Sequence, residues 1–182
     1  MTTGSEASRS AAGTTAAVPV AVGWPQSWRW RDVPPGPGRA VVFDIDGVLS
    51  DALGRQHFLE HGRRDWDAFF DACGDDPLVT EVARLLELLD GSLRIVLLTG
   101  RPLRVQPQTL AWLGRYQLRW DLLIMRDRDE HARAAAFKHA AVGGLRRAGL
   151  EPVLAFEDDP RNRDMFHRAG IPCVYIHSGY YE

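Results

Sequence analysis

Cysteine is scarce in this sequence: Cys73 and Cys173 are the two present in 182 residues. They form no metal-ligand spacing and no disulfide framework, which makes a reducing, cytoplasmic setting the simplest expectation. Long apolar runs are absent as well. None approaches the roughly 20 residues of a membrane-spanning helix, so no membrane partner is expected. The stretch AAVPVAV at 16–22 is broken by Pro19 and has no basic segment before it, so it does not read as a secretion signal. A G-x-x-x-x-G-K-S/T loop is missing, and with it any support for a kinase domain in this chain. Net charge is only −2, too little to promise strong binding to a nucleic-acid backbone by bulk charge. Lysine is nearly missing: Lys138 stands alone among 22 lysines and arginines together.

What is present is unevenly placed. From Ala40 to Leu93 twelve acidic residues face four basic ones, and from Arg101 to Arg147 ten basic face four acidic. An acidic segment beside a basic one suits a metal cluster next to a phosphate-binding rim, although solvated helix faces account for most individual charges. Residues 1–22 are rich in Thr, Ser, Ala and Gly and read as a flexible tail. GWPQSWRWRDVPPGPG at 23–38 is too broken by Pro and Gly for a helix, yet carries Trp24, Trp28 and Trp30. Tryptophans are costly to leave in water, so this segment is expected to dock on the domain or on a partner, with base stacking as the less favoured alternative. The chain therefore divides into a tail with a docking segment, 1–38, and one domain, 39–182.

Within that domain apolar runs at 40–45, 93–98, 121–125, 153–156 and 173–176 read as strands. Helical patterns lie between them: one with Asp76 as N-cap and Pro77 at its first position, then 104–118, then 130–148, then a short one from Pro160 to Gly170. Alternation of this kind predicts an α/β fold, a central parallel sheet covered by helices on both faces as a Rossmann-type three-layer sandwich. Residues 52–76 read as a small lid. His57, His61, Trp66 and Phe70 are candidates to face a substrate there, and Trp66, Phe69 and Phe70 are better read as a helix's buried face.

Ligands of such sheets bind beyond the carboxyl ends of the strands. The first strand ends in Asp44 and Asp46, two residues apart, which would share one face if the strand continued through both. The second ends in Thr99, Gly100 and Arg101, the fourth in Glu157, Asp158 and Asp159, and Lys138 lies on the helix between strands three and four. Each has a plain structural reading, as a turn, a cap or an exposed lysine. Their joint arrival at one sheet edge is harder to explain that way.

Together DIDGV, LLTGR, Lys138 and FEDD, in that order, resemble the four motifs of the haloacid dehalogenase-like phosphatases. The resemblance implies that Asp44 is a nucleophile forming an aspartyl-phosphate and that Asp46 is the general acid–base, protonated at the start and therefore with a pKa above that of Asp44. It implies Mg²⁺ held by Asp44, the backbone carbonyl of Asp46 and Asp158, with Glu157 assisting. Thr99, the Gly100 amide and Lys138 would bind the phosphoryl oxygens.

A narrower resemblance, to the 3′-phosphatase half of polynucleotide kinase–phosphatases of bacteriophage type, rests on Gly54-Arg55, Arg101, Met125-Arg126, EDDPRNRDMF, RQHFLE and DWDAFF. It implies that Arg55, Gly100, Arg101 and Arg126 contact substrate, and that the substrate is a polynucleotide 3′-phosphate end or a nucleotide. The chain departs from that pattern at Ala134, Ala135 and Ala136, where relatives carry polar groups before the lysine, and at Glu157, where an aspartate is usual. Two alternatives stand beside this reading: a phosphatase of small metabolites, and a non-catalytic protein that keeps the fold to bind a partner.

Overall fold

The computed structural model describes residues 24–60, 64–128, 130 and 132–181. The tail expected at 1–22 and the lid residue His61 lie outside the described residues. A six-stranded sheet organises the rest, in the order β1-β4-β3-β2-β5-β6. Its strands are β1 (Trp28–Trp30), β2 (Gly38–Phe43), β3 (Arg94–Pro102), β4 (Leu122–Arg126), β5 (Leu150–Glu157) and β6 (Cys173–Tyr175). All neighbours are parallel except β1, which runs antiparallel to β4.

Strand alternation builds two cores from the same strands. Val41, Phe43, Ile95, Leu97, Leu123 and Met125 face one side, where α2 (Thr80–Leu88) and α3 (Gln106–Arg115) cover them. Ala40, Val42, Val96, Leu98, Leu122 and Ile124 face the other, against α4 (Ala134–Arg147) and α5 (Pro160–Arg168). Strands apolar on both faces belong to a sheet buried on both sides, and the architecture is the expected three-layer α/β sandwich.

Two local expectations change. The helix anticipated from Asp76 begins at Thr80, and Val79 precedes it without a side-chain cap. Residues before it run extended beside the first motif: the Asp51 amide donates to the Pro77 carbonyl and the Val79 amide to the Leu49 carbonyl. The Asp76 carboxylate is thereby freed for buried partners described below. The second change is β1. Three residues of the tryptophan segment pair with β4, Trp28 beside Ile124 and Trp30 beside Leu122, and both indoles pack on the second core. Gly144 of α4 permits this, since a Cβ there would lie 2.8 Å from the Trp28 ring.

Between the first motif and α2 lie a 3₁₀ turn (Leu53–Leu59), α1 (Trp66–Asp71) and a second 3₁₀ turn (Ala72–Gly74). Asp65 caps α1 by accepting from the Ala68 amide at 2.9 Å. Phe69 is buried, Phe70 half-buried, and Trp66 exposed while stacked on Phe70. Arg104, ahead of α3, pairs with Asp67 and Asp71 of α1 and ties this segment to the sheet's first face. Among the described residues no helix is long and apolar enough to cross a membrane.

Candidate active site

The strand β2 stops at Phe43, and this decides what the two aspartates do. The Asp44 amide still donates to the Phe156 carbonyl, but the chain then turns through Gly47 at φ +77°. Asp44 and Asp46 consequently meet different cations. Asp44 accepts from the Ile45 amide at 2.7 Å through Oδ1, and its Oδ2 lies 2.7 Å from Lys138 Nζ. Lys138, delivered from the first half of α4, has its other partner in Glu157 Oε2 at 2.6 Å. No acidic residue stands one turn earlier, where Ala134 is found, so Glu157 at the end of β5 supplies the second carboxylate. Burial pulls the Lys138 ammonium toward neutrality, but the charges of Asp44 and Glu157 outweigh it and keep the amine protonated.

Asp158 follows Glu157 and differs from it in kind. Glu157 spends both oxygens: Oε2 on Lys138, Oε1 on the Asn162 side chain at 3.1 Å and the Asp159 amide at 3.2 Å. Asp158 is buried, and among the described residues neither of its oxygens has a hydrogen-bond partner in good geometry. Burial pushes its carboxyl up to about 7, the nearby Ser178 side chain pulling the other way and the Glu157 charge adding to the rise. Asp44 is also raised well above the usual carboxylate range, first by burial and then by Glu157, Asp158 and Asp46, with Lys138 pulling the other way. One oxygen each from Asp44, Glu157 and Asp158 lie within 4.8 Å of one another. Space is kept beside them by Gly47, where a Cβ would fall 1.9 Å from Asp158 Oδ2. The unpartnered Asp158 oxygens, close-set with those of Asp44 and Glu157 beside the space at Gly47, suit a hard divalent cation.

Asp46 turns the other way. Its Oδ1 accepts from Arg55 Nη2 at 2.5 Å, Arg101 Nη2 at 2.6 Å and Arg101 Nε at 2.9 Å. Burial would raise its carboxyl, but Arg101 and then Arg55, through charge and hydrogen bonds, hold it well below the usual range. This reverses the expected order of the two carboxyls. The reason is tertiary: Arg101, 55 positions along the chain, joins the nearer Arg55 on Asp46. Arg55 and Arg101, expected to contact substrate, have their guanidinium groups buried against Asp46 and Asp76.

Thr99 is fully buried and its Oγ1 accepts from the Arg101 amide at 3.2 Å. Gly100 follows it at the end of β3, half-exposed. Arg126, half-buried at the end of β4, donates to the Ala132 carbonyl and lies over the Phe137 ring. Further contributors carried no signal of this role in the sequence. Ser50 and Asp76 join the arginines around Asp46. The chain end returns to the same edge, where Tyr180 Oη donates to Asp51 at 2.7 Å. Tyr181 stands under Arg161 there, its side chain exposed.

Residues 38–181 match the family model described as the polynucleotide kinase PNKP phosphatase domain. Two solved structures of a Pnkp1/Rnl/Hen1 complex, one described as an RNA repair complex, are each 25% identical to this chain, with TM-scores of 0.64 and 0.66. The matches cover 84% and 81% of this chain but 47% and 48% of theirs, so it spans about half the length of those relatives. A class C acid phosphatase from Bacillus anthracis shares the fold at 12% identity and a TM-score of 0.55, over 81% of this chain and 69% of its own. A haloacid dehalogenase-like hydrolase from Streptococcus pneumoniae does so at 17% and 0.55, over 79% and 86%. No curated protein matches the chain.

Proposed function

This chain belongs to the polynucleotide kinase PNKP phosphatase domain family, a haloacid dehalogenase-like phosphatase fold, and on that premise we propose that it is a Mg²⁺-dependent phosphomonoesterase of polynucleotide 3′-phosphate ends or nucleotides. The observation that carries the proposal is Asp44 held 2.7 Å from Lys138, beside the orphaned carboxylate of Asp158. Asp44 attacks phosphorus, forming an aspartyl-phosphate as the bond to the leaving oxygen breaks. Lys138 and the Thr99–Gly100 stretch of β3 take up the charge on the phosphoryl oxygens. Asp158 and Asp44, with the Asp46 carbonyl, would hold the metal, while Glu157 aligns Lys138. A bound divalent cation supplies the positive charge that keeps Asp44 ionised and draws charge from the phosphoryl group.

Asp46 is ionised in the free site, the state required to take a proton from water in the second step. For the first step, a monoester arriving as its monoanion brings the proton that Asp46 passes to the leaving oxygen. Residues 52–76 act as the lid of a domain spanning 39–182. Support for a nucleic-acid end as substrate comes from the family and from the Pnkp1 likeness. The test is phosphate release from a 3′-phosphorylated oligonucleotide, a nucleoside monophosphate and an aryl phosphate, each with Mg²⁺ and with a chelator. Mg²⁺-dependent turnover that favours the oligonucleotide is expected. Preference for a small monoester moves the substrate to metabolites, and a folded protein that hydrolyses none of them refutes the proposal.

A further inference from the structure

A buried charge quartet lies behind Asp46, and its far member has no role in the chemistry above. Asp76 is 5% exposed. Its Oδ1 accepts from Arg55 Nε at 2.9 Å, and its Oδ2 accepts from Arg55 Nη2 at 2.8 Å, Arg101 Nη2 at 3.1 Å and Ser50 Oγ at 2.8 Å. The same two Nη2 groups donate to Asp46 Oδ1, at 2.5 and 2.6 Å. Each arginine is therefore shared between a carboxylate at the site and a carboxylate behind it. Two positive and two negative charges balance in a place where an unpaired one would cost several kcal/mol.

Sharing has a geometric result. Among the described residues the guanidinium donors to Asp46, two from Arg101 and one from Arg55, all fall on Oδ1. Oδ2 is left to the reacting groups. Arg55 is fixed further by the Phe69 carbonyl at 3.2 Å and by the Phe69 ring 4.1 Å from its Cζ. Arg101 is fixed by Thr109 at 3.3 Å. Asp76 is the second carboxylate, beside Asp46, that joins both guanidinium groups, and through Ser50 it reaches the turn of the first motif. With Asp76 neutral, the two like charges keep only Asp46 as a shared counter-ion, and both are free to wrap both of its oxygens.

We infer that Asp76 is the positioning residue of this site: it holds Arg55 and Arg101 so that Asp46 presents one free carboxylate oxygen for proton transfer to the leaving group. The inference rests on the phosphomonoesterase reading. It predicts a dependence on the leaving group, because an alkyl oxygen needs a proton as it departs and a nitrophenolate needs little help.

The experiment compares the parent with Asp76→Asn and Asp76→Glu, measuring single-turnover release of the alcohol from a 3′-phosphorylated oligonucleotide and of nitrophenol from p-nitrophenyl phosphate. Asp76→Asn is expected to lose about 10-fold or more on the alkyl ester, distinctly less on the aryl ester, with KM within about 2-fold and partial recovery in Asp76→Glu. Equal losses on both esters, or none, overturn the inference. A parent inactive on both esters refutes the phosphatase reading instead. The Nε–H proton exchange of Arg55 and Arg101 by NMR then decides: faster exchange of both in Asp76→Asn sustains the positioning role, and unchanged exchange overturns it.

Discussion

Asp44 and Asp46 stand two residues apart and answer to opposite halves of the molecule, one to a lysine and one to a pair of arginines. Each cation is itself buried, so each pair is held by more than its own attraction. Lys138 sits 1% exposed between two carboxylates, and removing it leaves both of them buried without a counter-charge. Lys138→Met should therefore lower stability by about 3–5 kcal/mol and abolish phosphate release. Urea unfolding beside an activity assay checks it, and a variant of parent stability would contradict the pairing. Gly47 makes a second case. A methyl at this position meets Asp158 Oδ2 at 1.9 Å and demands a left-handed backbone that alanine adopts at a cost of about 1–2 kcal/mol. Gly47→Ala should displace Asp158 and weaken Mg²⁺ binding by about 10-fold or more, a figure taken from the effect of disturbing residues around a metal. Titration calorimetry reads that directly, and unchanged affinity would remove Asp158 from the ligand set.

Elements differ in how much of themselves they declare. The five parallel strands are runs apolar on both faces, and their ends carry Asp44, Thr99 and Asp158 because that is where an open sheet collects its chemistry. The helix from Pro160 is equally plain, with Asp159 capping it through the Arg161 amide at 2.8 Å. By contrast, β1 is three residues long between prolines, too short for alternation to register, and only its pairing with β4 makes it a strand. Asp76 before Pro77 fits the pattern of a helix start, but burial beside two arginines outweighs a cap worth about 1 kcal/mol. The reversed order of the Asp44 and Asp46 carboxyls was illegible for the same reason, since Arg101 lies 55 positions from Asp46. The α4–β1 contact offers a test between adjacent glycines. Alanine favours a helix interior over glycine by about 1 kcal/mol. At Gly143 the new methyl would touch only the Arg147 guanidinium at 3.4 Å, so Gly143→Ala should stabilise the fold. At Gly144 it would meet the Trp28 ring at 2.8 Å, and overpacking of about 1–3 kcal/mol reverses the sign. Thermal melts that move in the same direction for both would mean that Trp28 does not rest on α4.

The whole molecule feels the acidic cluster through its pH dependence. Asp158 titrates at about 7 in the folded protein and Asp44 well above the ordinary range, both raised chiefly by burial, whereas an unfolded aspartate loses its proton near ~3.9. Between about pH 4 and about pH 7 the metal-free folded state therefore binds more protons than the unfolded state, and stability falls as pH rises across that window. Asp46 acts with the opposite sign. Its depressed carboxyl stabilises the fold above the unfolded value, and that contribution fades only below about pH 4, outside the window. A divalent cation held by these carboxylates should reverse the trend, because it would bind their ionised forms and have to displace protons at low pH. At a concentration near ~100 times its dissociation constant it adds about 2.7 kcal/mol to stability, and it does so most fully at the alkaline end. Melting temperatures at about pH 5 and about pH 8, each with a chelator and with Mg²⁺, separate the two effects. With the chelator the protein should melt lower at the higher pH, and Mg²⁺ should raise the melt more there. A profile flat in chelator, or a larger Mg²⁺ effect at the acid end, would mean that Asp44 and Asp158 are not the groups that share the cation.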